Sequence, residues 1–207
     1  MTHFPIQDFS KLSTPFYYYD IDCLLKTLQV IEYETKGRPN FHVHYAVKAN
    51  ANPRILQIIA QHGLGADCVS GGEILAASEA GFVGNKIVYA GVGKSDWEIR
   101  TALEKGIHSF NVESLPELDV INQIAGEMGK CAHVAFRINP NVDAHTHAKI
   151  TTGLNENKFG IVMEDMVTAI RHAQELGNVK YTGLHFHIGS QILDLSVYVS
   201  LCNRINE

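Results

Sequence analysis

No apolar run in these 207 residues approaches the ~20 needed to cross a bilayer as a helix. The first eight residues also lack the basic-then-apolar order of a secretion signal, so the expectation is a cytoplasmic chain with no membrane partner. No lysine/arginine cluster stands out against a formal net charge of −5, which removes the electrostatic footprint of a nucleic-acid binder. Cysteine is sparse. Cys23, Cys68, Cys131 and Cys202 are scattered without CxxC or zinc-type spacing, and reduced thiols are the default reading. No GxGxxG follows the first strand-like run, which excludes a dinucleotide-binding fold. Charged residues make up 19% and apolar residues 45%, ordinary proportions that argue for a packed core rather than disorder.

What is present is alternation. Strand-like runs begin near Phe41, Gly65, Lys86, Ser109, Ala132 and Tyr181, with amphipathic helices expected over 53–61, 71–80, 95–104, 114–127 and 164–176. Pro53 suits the first position of its helix. Ser70, Ser95 and Ser114 each precede an acid by three residues (Glu73, Glu98, Glu117), the pattern of a capping box. Gly63, Gly81, Gly106, Gly129 and Gly177 sit where a left-handed helix cap wants glycine. Short, evenly spaced βα units make a parallel α/β protein. Polar residues at the C-terminal ends of the strands (Lys48, Asp67, Asn111, Arg137, His187) favour a (β/α)₈ TIM-like barrel over a doubly wound sheet. About six of the eight βα units are accounted for, so the expected barrel is incomplete. The step from the fifth to the sixth strand is long, and its polar excess, 139–160, holds His145, His147, Lys149, Asn155, Asn157 and Lys158. Residues 14–20 read as a further strand-like run, ahead of a helix over 22–33.

Four elements carry chemistry. Residues 41–49 read as a strand that ends at Lys48, where low-dielectric surroundings suit an amine able to attack a carbonyl and form a Schiff base. The plain alternative is a strand-end lysine reaching solvent. Asp67 ends the second strand, either as a partner for Lys48 or a cationic ligand, or as a cap for the helix at Gly71. Arg137 suits a phenolate, carboxylate or phosphate, or an internal ion pair with Asp67. His185 and His187 share a strand face, and the Gly189-Ser190 turn after them offers backbone N–H groups and a hydroxyl to a phosphate. The other His-x-His pairs, His42/His44 and His145/His147, invite zinc, but no third ligand has suitable spacing, so no metal is expected. Cys68 reads as a small core residue, with no adjacent base to activate it.

With these motifs in hand, the chain resembles the N-terminal portion of the diaminopimelate decarboxylases, a family of the barrel-type (fold-type III, alanine-racemase-like) pyridoxal-phosphate decarboxylases. Tyr45-Ala46-Val47-Lys48-Ala49-Asn50 matches the cofactor-lysine signature. The runs that begin Ala66-Asp67-Cys68, Arg137-Ile138-Asn139-Pro140, Lys149-Ile150-Thr151-Thr152-Gly153, Lys158-Phe159-Gly160 and His187-Ile188-Gly189-Ser190-Gln191 follow in family order. The resemblance implies pyridoxal 5′-phosphate carried on Lys48, His187 stacked on its ring, Ser190 at its phosphate, Asp67 near the Schiff base and Arg137 near the 3′-oxygen. The implied reaction is decarboxylation of a small amino acid, meso-2,6-diaminopimelate, to L-lysine, by a homodimer when full length. It also implies a later glycine-rich phosphate loop, a later glutamate at the pyridine nitrogen and a C-terminal β domain, none of them within these residues. The expected division is therefore 1–27, a segment that pairs with that β domain, and 28–207, a partial cofactor-binding barrel. The expectation is an inactive fragment. Alternatives are a non-catalytic pyridoxal-phosphate homeostasis-type protein, or a related ornithine, arginine or carboxynorspermidine decarboxylase.

Overall fold

The computed structural model describes residues 4–140, 159–190 and 192–206. It divides into two compact units, Met1–Phe41 and His42–Glu207. The first holds a short helix α1 (Ile6–Phe9) and a longer one, α2 (Ile21–Thr35), which Asp20 caps by accepting from the Cys23 backbone N–H at 2.9 Å. Residues 14–20 form no strand. They have no ladder partner among the described residues, and the rings of Phe16 and Tyr18 pack on Phe9 at 5.4 and 5.0 Å instead.

The second unit is built on a parallel sheet of seven strands: β1 (His44–Ala46), β2 (Gly65–Cys68), β3 (Ile87–Tyr89), β4 (Ser109–Val112), β5 (Ala132–Asn139), β6 (Ile161–Val162) and β7 (Val179–His185). Strands β1 to β5 lie side by side in chain order; β7 pairs along most of β5, and β6 pairs with its last two residues. A right-handed crossover repeated in one direction places the connecting helices on the same side, which is how a sheet winds toward a barrel. A doubly wound sheet would reverse its strand order. The sheet is not closed among the described residues. The two-residue β6 has no counterpart in the sequence expectation, because it is too short to carry an alternation.

The helices are α3 (Pro53–Gln61), α4 (Gly71–Glu79), α5 (Asp96–Lys105), α6 (Leu115–Glu127), α7 (Met166–Glu175) and α8 (Ser196–Asn206). The expected starts hold because the caps are real. Ser70 and Ser114 accept from the N–H groups of Glu73 and Glu117, and Glu98 accepts from the backbone and hydroxyl of Ser95. Gly63, Gly81, Gly106 and Gly129 take positive φ, but Gly177 does not, since α7 ends in an extended Leu176. A 3₁₀ turn, Met163–Asp165, replaces the expected first turn of α7. The core between sheet and helices includes Ile74, Ile99, Leu118 and Ile121 against Ile87, Phe110 and Phe136, all nearly solvent-free. Each such side chain contributes about 1.5–3 kcal/mol by leaving water. No described helix is long and apolar enough to cross a membrane.

Candidate active site

A cavity of about 590 Å³ opens at the C-terminal ends of the strands. Lys48, Asp67, Arg137, His187 and Ser190 all line it, although they come from four separate parts of the chain. Glu113, Phe159 and His185 complete much of the polar and aromatic wall. Asn111 is not among the lining residues; it is buried in β4, and its carbonyl accepts from Lys94 at 2.9 Å. His145, His147, Lys149, Asn155, Asn157, Lys158 and Gln191 lie outside the described residues.

Lys48 is not on a strand. The chain leaves β1 after Ala46 and makes a 3₁₀ turn, Val47–Ala49, with Lys48 at its centre. Val47 anchors the turn as a solvent-free side chain, and the Asn50 N–H closes it onto the Val47 carbonyl at 3.1 Å. Tyr45 donates its hydroxyl to the Asn50 carbonyl, and Asn50 Oδ1 accepts from the Asn52 N–H at 2.9 Å. Asn52 in turn caps α3. The asparagines that turn the chain therefore also tighten the segment that carries the lysine.

Asp67 lies in β2 with its carboxyl pushed above the usual aspartate range by burial; Lys48 draws it down and Glu73 adds to the rise. It does not cap α4. Ser70 takes that position, and the Gly71 N–H is bound by Glu98 Oε1 at 2.7 Å. The next residue, Cys68, points into the core, where burial pushes its thiol up to about 12, with Glu73 and Asp67 contributing. It is a packed thiol, not a nucleophile.

Arg137 pairs with Glu113 rather than with Asp67. Its Nη1 donates to both carboxylate oxygens, at 3.0 and 3.2 Å, with both residues buried. Phe159 lies against the guanidinium, 5.7 Å from its carbon to the ring centre. The reason is register. Val112 of β4 pairs with Phe136 of β5, so Glu113 and Arg137, one residue on, come level. Sequence reasoning passed over Glu113 because it sits between a strand and the helix cap Ser114, where an acid is unremarkable. The available signal was Arg137 itself, since an inward arginine requires a carboxylate nearby.

Burial holds both histidines toward the neutral form. Burial lowers His185 to about 4, with Arg137, His187 and Lys94 adding repulsion. Burial also lowers His187, followed by Arg137 and Lys48. Among the described residues, Arg137 Nε and His185 Nδ1 are buried without a hydrogen-bond partner. Behind the cavity wall, Lys94 is almost solvent-free and donates to the carbonyls of Gly91 and Asn111 and to Glu117 Oε1, at 2.6, 2.9 and 2.7 Å. Among the described residues no three His, Cys, Asp or Glu side chains are grouped to hold a metal ion.

A family model described as pyridoxal-dependent decarboxylase, pyridoxal binding domain, matches residues 28–207. A diaminopimelate decarboxylase of Bacteroides thetaiotaomicron is 64% identical over 204 residues, which are 99% of this chain and 53% of that protein. Among solved structures, the diaminopimelate decarboxylase of Helicobacter pylori complexed with L-lysine superposes with a TM-score of 0.91 at 42% identity, covering 97% of this chain and 50% of its own. The enzyme of the same name from M. jannaschii, in co-complex with L-lysine, gives a TM-score of 0.84 at 42% identity over 94% and 46%. The chain spans about half the length of the curated relatives it matches.

Proposed function

Since the chain belongs to the pyridoxal-dependent decarboxylases, through their pyridoxal-binding domain, we propose that it is the cofactor-holding part of a diaminopimelate decarboxylase, which converts meso-2,6-diaminopimelate to L-lysine and CO₂. The observation that carries this reading is the convergence of Lys48, Asp67, Arg137, His187 and Ser190 on one cavity. Two features of that cavity fit pyridoxal phosphate. Its volume accommodates a substituted pyridine together with a small amino acid. At its wall the buried Arg137, held by Glu113, offers a cation suited to an oxyanion.

When bound, the cofactor supplies an electron sink for the pair left behind as CO₂ departs. Lys48 would hold it covalently through Nζ, from a turn fixed by Val47 and Asn50. The neutral ring of His187 would cover the pyridine, with no charge of its own to oppose. The Ser190 hydroxyl and the N–H groups of the Gly189–Ser190 turn would take the phosphate, and Arg137 the 3′-oxygen. Asp67, beside Lys48 and held toward the protonated form by burial, would keep a proton near Nζ. Lys48 Nζ would be the group to return a proton to the carbon that CO₂ leaves. The apolar side chains of Ala46, Val69, Ala90 and Phe159 in the lining would limit water at that carbon.

The test is a titration of the chain with pyridoxal phosphate, followed by borohydride reduction and peptide mass mapping. A single reduced adduct on Lys48, lost in K48A, is expected. A folded chain with no adduct, or with one elsewhere, overturns the cofactor reading. Substrate class is read separately, by replacing the matching half of the Bacteroides relative with this chain. Lysine formed from meso-2,6-diaminopimelate, with no turnover of ornithine or arginine, supports the assignment, and the reverse refutes it.

A further inference from the structure

Glu113 has no part in the chemistry described above, yet it is buried at the floor of the same cavity. Three residues form a row there across neighbouring strands. Glu113 and Arg137 come level through the β4–β5 register, and Arg137 is paired directly with His185 across β5 and β7. Within the row the partners are unequally shared. Arg137 Nη1 donates to both oxygens of Glu113, while among the described residues Nε is buried without a partner, and so is Nδ1 of the adjacent His185. A guanidinium is planar, so fixing Nη1 fixes where the other N–H vectors lie. The Phe159 ring stands 5.7 Å from the guanidinium carbon and narrows the space around it.

We propose that Glu113 is the positioning residue of the cofactor site: its carboxylate clamps Arg137 at the cavity wall so that the guanidinium meets one ring oxygen of the bound pyridoxal compound. This rests on the cofactor reading above. A second consequence is electrostatic. Glu113 neutralises Arg137 and so limits how strongly the arginine favours the anionic form of that oxygen.

The experiment follows the bound chromophore rather than turnover. Pyridoxal phosphate affinity and the pH midpoint of the bound absorbance band are measured for the chain and for E113Q, E113A, R137A and E113A/R137A, with thermal stability recorded alongside. In E113Q the size of the side chain is kept and the charge lost. The midpoint is expected to move to lower pH, because a guanidinium relieved of its carboxylate stabilises the anion. E113A is expected to weaken affinity by about 10- to 100-fold, the loss typical of a partner one step behind a ligand at metal sites. In the R137A background the same change is expected to alter affinity less than about twofold, because Glu113 then has nothing to position. An unchanged midpoint and affinity in E113Q, in a chain that forms the Lys48 adduct, overturns the inference alone. Equal losses in both backgrounds also overturn it, by assigning Glu113 a structural role. If E113A does not fold, E113Q decides. A folded wild-type chain that forms no adduct removes the cofactor reading, and this inference with it.

Discussion

Replacing Lys94 with methionine tests whether the polar layer behind the cavity holds the unit together. Lys94 Nζ bonds two carbonyls and the Glu117 carboxylate, with its side chain 1% exposed and that of Glu117 11% exposed, and it lies 5.1 Å from the centre of the Tyr89 ring. Methionine keeps most of the volume and removes the charge. Removing one partner of a buried pair costs about 3–5 kcal/mol, because the other charge stays behind without compensation. Against a total stability of about 5–15 kcal/mol this is a large fraction. For a chain of this size it corresponds to a fall in melting temperature of about 6–20 °C. The loss also depends on pH. Burial already raises the Glu117 carboxyl above its usual 4.5, with Lys94 pulling it back. Without Lys94 it rises further. A carboxyl raised on folding binds its proton more tightly in the folded state, so its stabilising contribution is present at low pH and lost as pH rises through the folded value. The K94M deficit should therefore be largest at neutral pH and shrink as pH falls toward 4.5. K94M/E117Q should recover part of it at neutral pH. Urea melts of the variants at matched pH read all three quantities. A deficit that does not vary with pH, or a double variant no better than K94M, refutes the reasoning.

Two further outcomes follow from close contacts and from histidine burial. A Cβ at Gly84 would stand 2.0 Å from the Lys105 carbonyl oxygen, whereas one at Gly72 meets only the Ser70 hydroxyl at 3.8 Å. G84A should lower stability by more than about 2 kcal/mol, while G72A stays within about 0.5 kcal/mol in the same denaturant melts; equal effects would show that the backbone around Lys105 yields freely. His185 falls on folding from 6.5 to about 4, so the unfolded chain takes up its proton first and stability drains away as pH falls between those values. H185N should flatten that part of the profile relative to the wild type, and a slope unchanged by the substitution would place the acid sensitivity elsewhere.

The layout of helices was legible because it is written locally. Ser70, Ser95 and Ser114 with their acids three residues on, and glycines at four of the five expected caps, are short-range signals that tertiary packing had no reason to override. Four of the residues that line the cavity, Lys48, Asp67, Arg137 and His187, were legible for a different reason: each is an expensive polar group at or just beyond the end of a strand. The failures fall where a residue's role depends on something distant in sequence. Residues 41–49 read as one unbroken strand that carries Lys48, yet the Asn50 bond back to Val47 curls its last three residues into a turn. Asp67 was offered Gly71 and Arg137 as partners, but Glu98 holds the first and Glu113 the second. Lys94 drew no attention at all, since a lysine flanked by Gly93 and Ser95 reads as an exposed loop.

The least legible feature is also the one that shapes the floor of the cavity. Val134 pairs with Tyr181, but Ala135 pairs with Gly183, so Thr182 is an extra residue on β7. Its hydroxyl donates to the Val134 carbonyl at 3.0 Å, which ties the bulge down. Had Thr182 paired with Ala135 and the ladder run on unbulged, Arg137 would lie opposite Leu184 instead of His185. Side chains alternate between the two faces of a strand, so a one-residue slip turns every following group over. The bulge therefore decides that a nitrogen rather than a methyl group stands beside the guanidinium. Bulges re-aim side chains next to functional sites in this way. Here the effect is confined to the last three residues of the β5–β7 ladder, and the ladder below, from Ala132 to Val134, keeps ordinary parallel pairing. The cavity floor is thus set by strand register, with Glu113, Arg137 and His185 brought into one row by two ladders and one inserted threonine.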